Sequence, residues 1–202
     1  MSKKYEFTDE TITVNGITLH RIKAVIDFDR FGVKAGDLGG FIEVEANLSH
    51  DGNAWVSGDA LIYGNARVSG NAYVYGNAYV YGNARVSGNA RVSGNACVSG
   101  NAWVSENAKV SGDAWVSENA CVSGDAKIKR SNDYACVNGF GSVYKNATFF
   151  RCEDDLIRAQ CGGFYGTIDD FRAKVKETHG DSKYAKEYLM IADLMEYHFA
   201  ED

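Results

Sequence analysis

Four histidines, His20, His50, His179 and His198, are the side chains best suited to general-base chemistry in this 202-residue chain. A catalytic base must be held by a partner and stand within reach of the proton it takes. Only His50 falls in the repetitive middle of the chain, at an inward position beside the first corner, where it reads as a contact with a cap. His179 ends a predicted helix, where a cation suits the dipole. His20 falls in a predicted hairpin, and His198 lies near the last residue given. No catalytic residue is assigned. The five cysteines are odd in number and include no CxxC pair, so neither a disulfide framework nor a metal site is expected. Cys136, Cys152 and Cys161 can approach one another in the tail, where they read as free buried thiols.

Two other sets of residues suit the capture of an anion. Arg91, Lys109 and Lys127 recur at a spacing of 18, with Lys129 beside them and Trp55, Tyr73 and Tyr75 at the other end of the same row. Such a stripe can hold a nucleotide by stacking and charge pairing. The second set is Gly139, Gly141 and Ser142 of a Gly-Phe-Gly-Ser turn, followed by Lys145 and Arg151. There, backbone N–H groups and two cations would cradle a phosphate. The second set is preferred, because the junction between a repeat and its cap is more concave than a flat face. Gly36, Gly39 and Gly40 lack the GxxxxGK[ST] spacing of a phosphate loop and read as part of a cap.

Composition narrows the partners. The formal net charge is −6 and charged residues make up 24%, which argues against non-specific nucleic-acid binding. No apolar run is long enough to cross a membrane. The first residues lack the apolar stretch of a secretory signal, so a cytoplasmic location is expected. There are 22 glycines and no proline, so neither collagen nor a polyproline linker fits.

The element that must position all these residues is a repeat of six. Val or Ile recurs at every sixth residue from Val56 to Ile128, with Ala two residues before it and Asn or Asp before the Ala. Gly precedes that pair throughout, except at Glu106 and Glu118. A period of six does not keep valines on one helix face, and a glycine in every turn would cost a helix about 1 kcal/mol each. Alternation at period two does fit: Ala and the following Val point the same way, and Gly-Asn turns the corner. Counting back to Val44 gives about five coils of 18 residues, a prism roughly 24 Å tall at ~4.8 Å per coil.

The G-N-A-x-V-S pattern resembles hexapeptide-repeat proteins, which implies a mainly β fold, a left-handed parallel β-helix with three hexapeptides per coil. Residues 19–44 and the tail segments at 139–142, 148–151, 161–167 and 178–188 are similar to prophage- and phage-encoded proteins of the YdcK-like kind. The resemblance implies a bacterial or phage origin and a bacterial cytosolic location. Acyltransferases with this repeat use a His base and coenzyme A and are commonly trimers. The chain lacks a loop thrown out of its coils, so acyl transfer is the alternative, and no cofactor is expected. A purely structural spacer in phage assembly is the other.

Stacking at 18 sorts the outward residues onto three faces. One carries Leu61, Tyr79, Cys97 and Trp115, flanked by Tyr63 and Tyr81, with no charge among them. It is the expected interface of a homotrimer. Residues 1–43 are read as an N-terminal β cap with a hairpin turn at Asn15-Gly16. Residues 44–133 are the β-helix and 134–202 a C-terminal α+β module. In that module a hairpin, Ala147–Cys152 and Leu156–Cys161, precedes two helices. Thr167 and Ser182 start the helices and Gly180 ends the first. The second carries apolar positions at Tyr184, Tyr188, Ile191, Met195 and Phe199. The functional expectation is a non-enzymatic scaffold that binds a small anionic, nucleotide-like ligand or a protein partner.

Overall fold

The computed structural model describes residues 3–142 and 144–200. Val143, where the sequence begins a partial echo of the repeat, lies outside the described residues.

Thirteen two-residue strands, from Trp55–Val56 to Lys127–Ile128, wind into a parallel β-solenoid of about five coils. In each strand the first residue points out and the second points in. Strands 18 residues apart pair in parallel register, Arg67 on Arg85 and Val68 on Val86, for example. Three flat sheets result. Valines and alanines of every coil fill the interior, all 0–1% exposed between Ala54 and Ile128. Each buried Val is worth ~1.5–3 kcal/mol of apolar transfer, so the period of six converts directly into a continuous core.

The corners show why Gly and Asn are needed. Gly70 has φ 67°, and a Cβ there would stand 3.1 Å from the backbone nitrogen of Gly88 in the next coil. Glu106 stacks in this corner and Glu118 takes the equivalent position in another, at φ 56° and 60°. Glu106 compensates by accepting the Gly124 N–H at 2.7 Å. The asparagines form ladders along the edges, each side-chain amide donating to the residue 18 further on, as Asn83 does to Asn101 and Asn101 to Asn119. Two ladders end on carboxylates, Asp113 and Asp125. The third ends on Asn119.

The first coil departs from the counted register. Ile42 stacks on Ile62 and Leu48 on Val68, both 20 residues apart. The inward positions are therefore Ile42 and Leu48, both fully buried, while Val44 is exposed and His50 half-buried. Two extra residues between Leu48 and Val56 shift the repeat. Gly40 takes the Ala position of its coil, where a Cβ would lie 2.6 Å from the Ala60 carbonyl. That close approach, not phosphate binding, requires the glycine.

The N-terminal cap extends one sheet. Strands β1 (Tyr5–Val14) and β2 (Ile17–Ala24) form the hairpin, and β2 pairs antiparallel with β3 (Leu38–Ile42), which joins the solenoid. Phe28 covers Trp55, ring centres 5.1 Å apart, and Tyr5 and Val33 join the core. Lys4 is 1% exposed and donates to the Ala54 carbonyl at 2.7 Å, so burial lowers its pKa to about 8.

The tail closes the other end. Strands β4 (Tyr134–Val137), β5 (Ala147–Arg151), β6 (Ile157–Cys161) and β7 (Phe164–Thr167) form one antiparallel sheet. The expected hairpin is β5–β6, and β4 and β7 add a strand on either side. The four-residue strands are too short to show alternation clearly. Helices α1 (Ile168–His179) and α2 (Lys183–Phe199) pack on this sheet. Thr167 accepts the Asp170 N–H, and Ser182 accepts the Ala185 N–H, as the capping signals indicate. Tyr184 is the exception to the expected buried stripe of α2, with 37% exposure. Strand β5 serves two cores by alternation: Phe149 faces the helices and Phe150 the solenoid.

The last coil leaves backbone N–H groups that would otherwise form an open sheet edge. Side chains fill them. Ser131 Oγ accepts from Trp115, the Tyr134 hydroxyl from Ser117, and Thr148 Oγ1 from Cys121. No helix among the described residues is long and apolar enough to cross a membrane.

Candidate anion-binding groove

The final strand of the solenoid carries Lys127 outward, Ile128 inward, and Lys129 outward again by alternation. The chain then makes a short 3-10 turn, Ser131–Asp133. The buried Asp133 carboxylate accepts the N–H groups of Lys129 and Arg130 at 2.8 and 2.9 Å, which fixes where these two residues point away from the coil. Strand β5 delivers Arg151 beside them, and the C-terminal turns of α2 deliver Leu194, Tyr197 and His198. Together they line an open groove of about 1220 Å³. Lys127, Lys129, Arg130 and Arg151 stand in it against Asp133 and Asp155. Among the described residues, neither Lys127 nor Lys129 has an ion-pair partner within 4.0 Å.

This arrangement joins parts of the two candidate sites and separates others. Arg91, Lys109 and Lys127 do stack in register along one sheet. Three like charges at ~4.8 Å spacing repel one another, and Glu153 relieves this by pairing with Lys109. The Lys109 ammonium in turn holds the Glu153 carboxyl below its usual range. The aromatic end of the same row is closed: Trp55 is buried, and Phe31 stacks on Tyr73 at 4.4 Å. Only the Lys127 end opens into the groove.

The Gly-Phe-Gly-Ser cradle does not form around an anion from outside. Gly141 is buried against the Tyr188 ring, and its N–H donates to the Glu187 carboxylate at 3.0 Å. Lys145 and Arg151 lie at opposite ends of an extended run, about 20 Å apart by strand geometry. Gly141, between Gly139 and Ser142 in the turn, sits by the first half of α2. Arg151 sits at its last turn, donating to the Phe199 carbonyl at 2.7 Å. It satisfies a helix-end carbonyl as a basic C-terminal partner does. Arg130, Tyr197 and His198 are members of the groove that sequence reasoning did not assign to a site. The signal for Tyr197 was present: Met190, Leu194 and Tyr197 make a second apolar row on α2, opposite the buried one, and all three are more than half exposed.

His198 lines the groove, while the other three histidines and the cysteines have other employment. His50 stacks on Tyr5 at 4.3 Å, accepts the Lys4 N–H on Nδ1, and meets Glu45 at Nε2. Both ring nitrogens are engaged by the cap. His179 stacks on Tyr188 and His20 lies against Phe7. Burial pushes all five thiols above their usual range, so they stay protonated and weakly nucleophilic at neutral pH. Among the described residues no group of His, Cys, Asp and Glu has the arrangement of a metal site.

The uncharged face is partly occupied. Leu61 and Tyr63 are 5% and 8% exposed because the β1–β2 hairpin packs Ile12, Val14, Ile17 and Leu19 over them and Phe41. They were expected to meet a second subunit; the chain's own hairpin covers them instead. Tyr81 stacks on Tyr63 at 5.1 Å, and Cys97 is half-buried. Tyr79 and Trp115 remain open, at 39% and 54% exposure.

The chain is similar to the YdcK β-solenoid repeat family, whose model matches residues 60–76, 78–93 and 90–106. These segments lie within the regular coils. The chain is a β-solenoid repeat protein. A comparison with curated proteins gives no significant match. The likeness covers part of the coils, and the groove lies outside the matched residues.

Proposed function

We propose that this chain is a non-enzymatic scaffold that captures a small anionic, nucleotide-like ligand in the groove between the last coil and α2. The observation that carries the reading is the convergence of Lys127, Lys129 and Arg130, with Arg151 behind them, below the Tyr197 ring. Cations there meet phosphate and the exposed aromatic meets a base. The coils are uninterrupted, and His50, the histidine beside the first corner, is tied to the cap at both ring nitrogens, which weighs against the acyl-transfer alternative. The resemblance of residues 19–44 and of the tail supports a phage- or prophage-type protein of the bacterial cytosol, with the left-handed coil of its class. A homotrimer would use the open part of the aromatic row, Tyr79 and Trp115.

Thermal unfolding with linear and cyclic nucleotides tests the proposal. A bound nucleotide raises the midpoint of the native chain and does so less in Lys127→Ala/Lys129→Ala, which removes two surface cations with no structural hydrogen bond. A midpoint that no nucleotide moves leaves the spacer reading.

A further inference from the structure

A second concavity lies on another face, where the last coil meets the turn between β6 and β7. It measures about 350 Å³ and is lined by Asn101, Trp103, Asn119, Cys121, Asn146 and Gln160, with Ala120 and Gly162 at its edge. No lining residue is charged. The size falls at the small end of ligand pockets, about 300–1,000 Å³.

Trp103 forms one wall. It is 48% exposed, yet its Nε1–H is already donated to Ser87 Oγ at 3.0 Å. The indole is held in place and has only ring surface left to offer. The opposite side is a set of amides that other contacts orient. Asn146 donates to the Asn119 carbonyl at 2.6 Å. Gln160 accepts from Ser123 and donates to the Gly162 carbonyl.

The asparagine ladder ends here. Asn119 Oδ1 accepts from Asn101, but Asn119 Nδ2 has no acceptor among the described residues. The other two ladders end on carboxylates, which carry no donor. This one edge presents an unspent N–H2 group beside a fixed aromatic ring.

We propose that this pocket binds a neutral saccharide, with one pyranose ring stacked on Trp103 and its hydroxyls bonded to the amides. Amides both donate and accept, as hydroxyls do, and the C–H face of a sugar suits an indole. A nucleobase is disfavoured by the same hydrogen bonds. Reading a base takes an amide with oxygen and nitrogen both free for a bidentate pair. Asn101 and Gln160 have both ends engaged, Asn119 has its oxygen engaged, and Asn146 has its nitrogen engaged. Separate single bonds from several amides match hydroxyls spread around a ring.

Calorimetry and saturation-transfer NMR with glucose, maltose, cellobiose and adenosine test this on the whole chain. At least one of the sugars binds, and Trp103→Ala and Asn119→Asp each weaken it by about tenfold. Asn119→Asp keeps the oxygen that Asn101 needs and removes only the donor, as in the other two ladders, so its melting midpoint stays with the parent. Leu38→Ala, an exposed apolar side chain in the N-terminal cap, leaves binding unchanged. The proposal is overturned if none of the three sugars binds, if adenosine alone binds, or if sugar binding survives both substitutions. The groove is probed with charged nucleotides, so either site can fail without the other.

Discussion

The Glu187 carboxylate accepts the backbone N–H of Gly141 at 3.0 Å, so the glycine turn that the sequence offers to an external anion already holds the chain's own. The contact ties the loop before β5 to the first half of α2. Glu187→Ala is expected to cost about 1.5–3 kcal/mol, in the range of a hydrogen bond to a charged group, and Glu187→Gln clearly less. Urea unfolding of the three proteins measures it. Equal midpoints would mean that the Tyr188 packing alone seats the turn.

The two glutamates in glycine corners give a paired prediction. Glu106 and Glu118 both adopt positive φ, but only Glu106 gains the Gly124 N–H. Glu118→Gly is expected to stabilise by about 0.5–1 kcal/mol, because it removes a left-handed penalty. Glu106→Gly is expected to gain nothing or to lose stability. The order of their melting midpoints checks the claim that the hydrogen bond offsets the strain.

The core register is tested at Val86, which stacks between Val68 and Val104 with no exposure. Val86→Asp places a carboxylate where each neighbouring coil supplies only methyl groups, at a cost of several kcal/mol. No folded soluble protein is expected by circular dichroism. A normal melting transition would refute the inward assignment.

Lys4 sets a pH dependence. Its pKa is lowered from 10.5 to about 8, by desolvation first, with Asp51 opposing. The unfolded chain therefore binds the proton more tightly than the folded one. The cost of burying the charge is fully present below pH 8, and stability from this group rises between about pH 8 and 10.5. The cysteines and Tyr5 work the other way above pH 9. The comparison that isolates Lys4 is with Lys4→Met. Below pH 8 the variant is favoured relative to its position at pH 10, by up to about 3 kcal/mol. Unfolding curves at pH 7, 8, 9 and 10 read the difference, and a constant offset would show that Lys4 keeps its charge at no cost.

The coils were legible because each unit repeats one local rule thirteen times, and period two separates Ala and Val from their outward neighbours without any tertiary help. The first coil was misread by two residues because Ile42 and Leu48 keep the spacing of six and only the join to Val56 is longer. Its Gly40 and Ala46 mimic the Ala position, but the choice between Val44 and Ile42 rests on which strand pairs with Leu61–Ile62. The groove was half legible. Lys127 and Arg151 could be named from charge and junction, yet 24 residues separate them, and only the pairing of Ala126 with Cys152 brings their strands together. Arg151 was offered as a ligand contact, whereas the α2 terminus claims one of its N–H groups. For the same reason Leu61 and Tyr63 looked exposed: nothing in a hairpin's own pattern tells which surface its apolar side will cover.

Calorimetry of the native chain and of Lys127→Ala with linear and cyclic nucleotides is the most direct test of the central claim. At least one nucleotide is expected to bind, and the substitution to weaken it about ten- to a hundredfold, as the loss of a charge-assisted phosphate contact does. No binding by any nucleotide, or equal affinity in both proteins, would contradict the assignment of the groove.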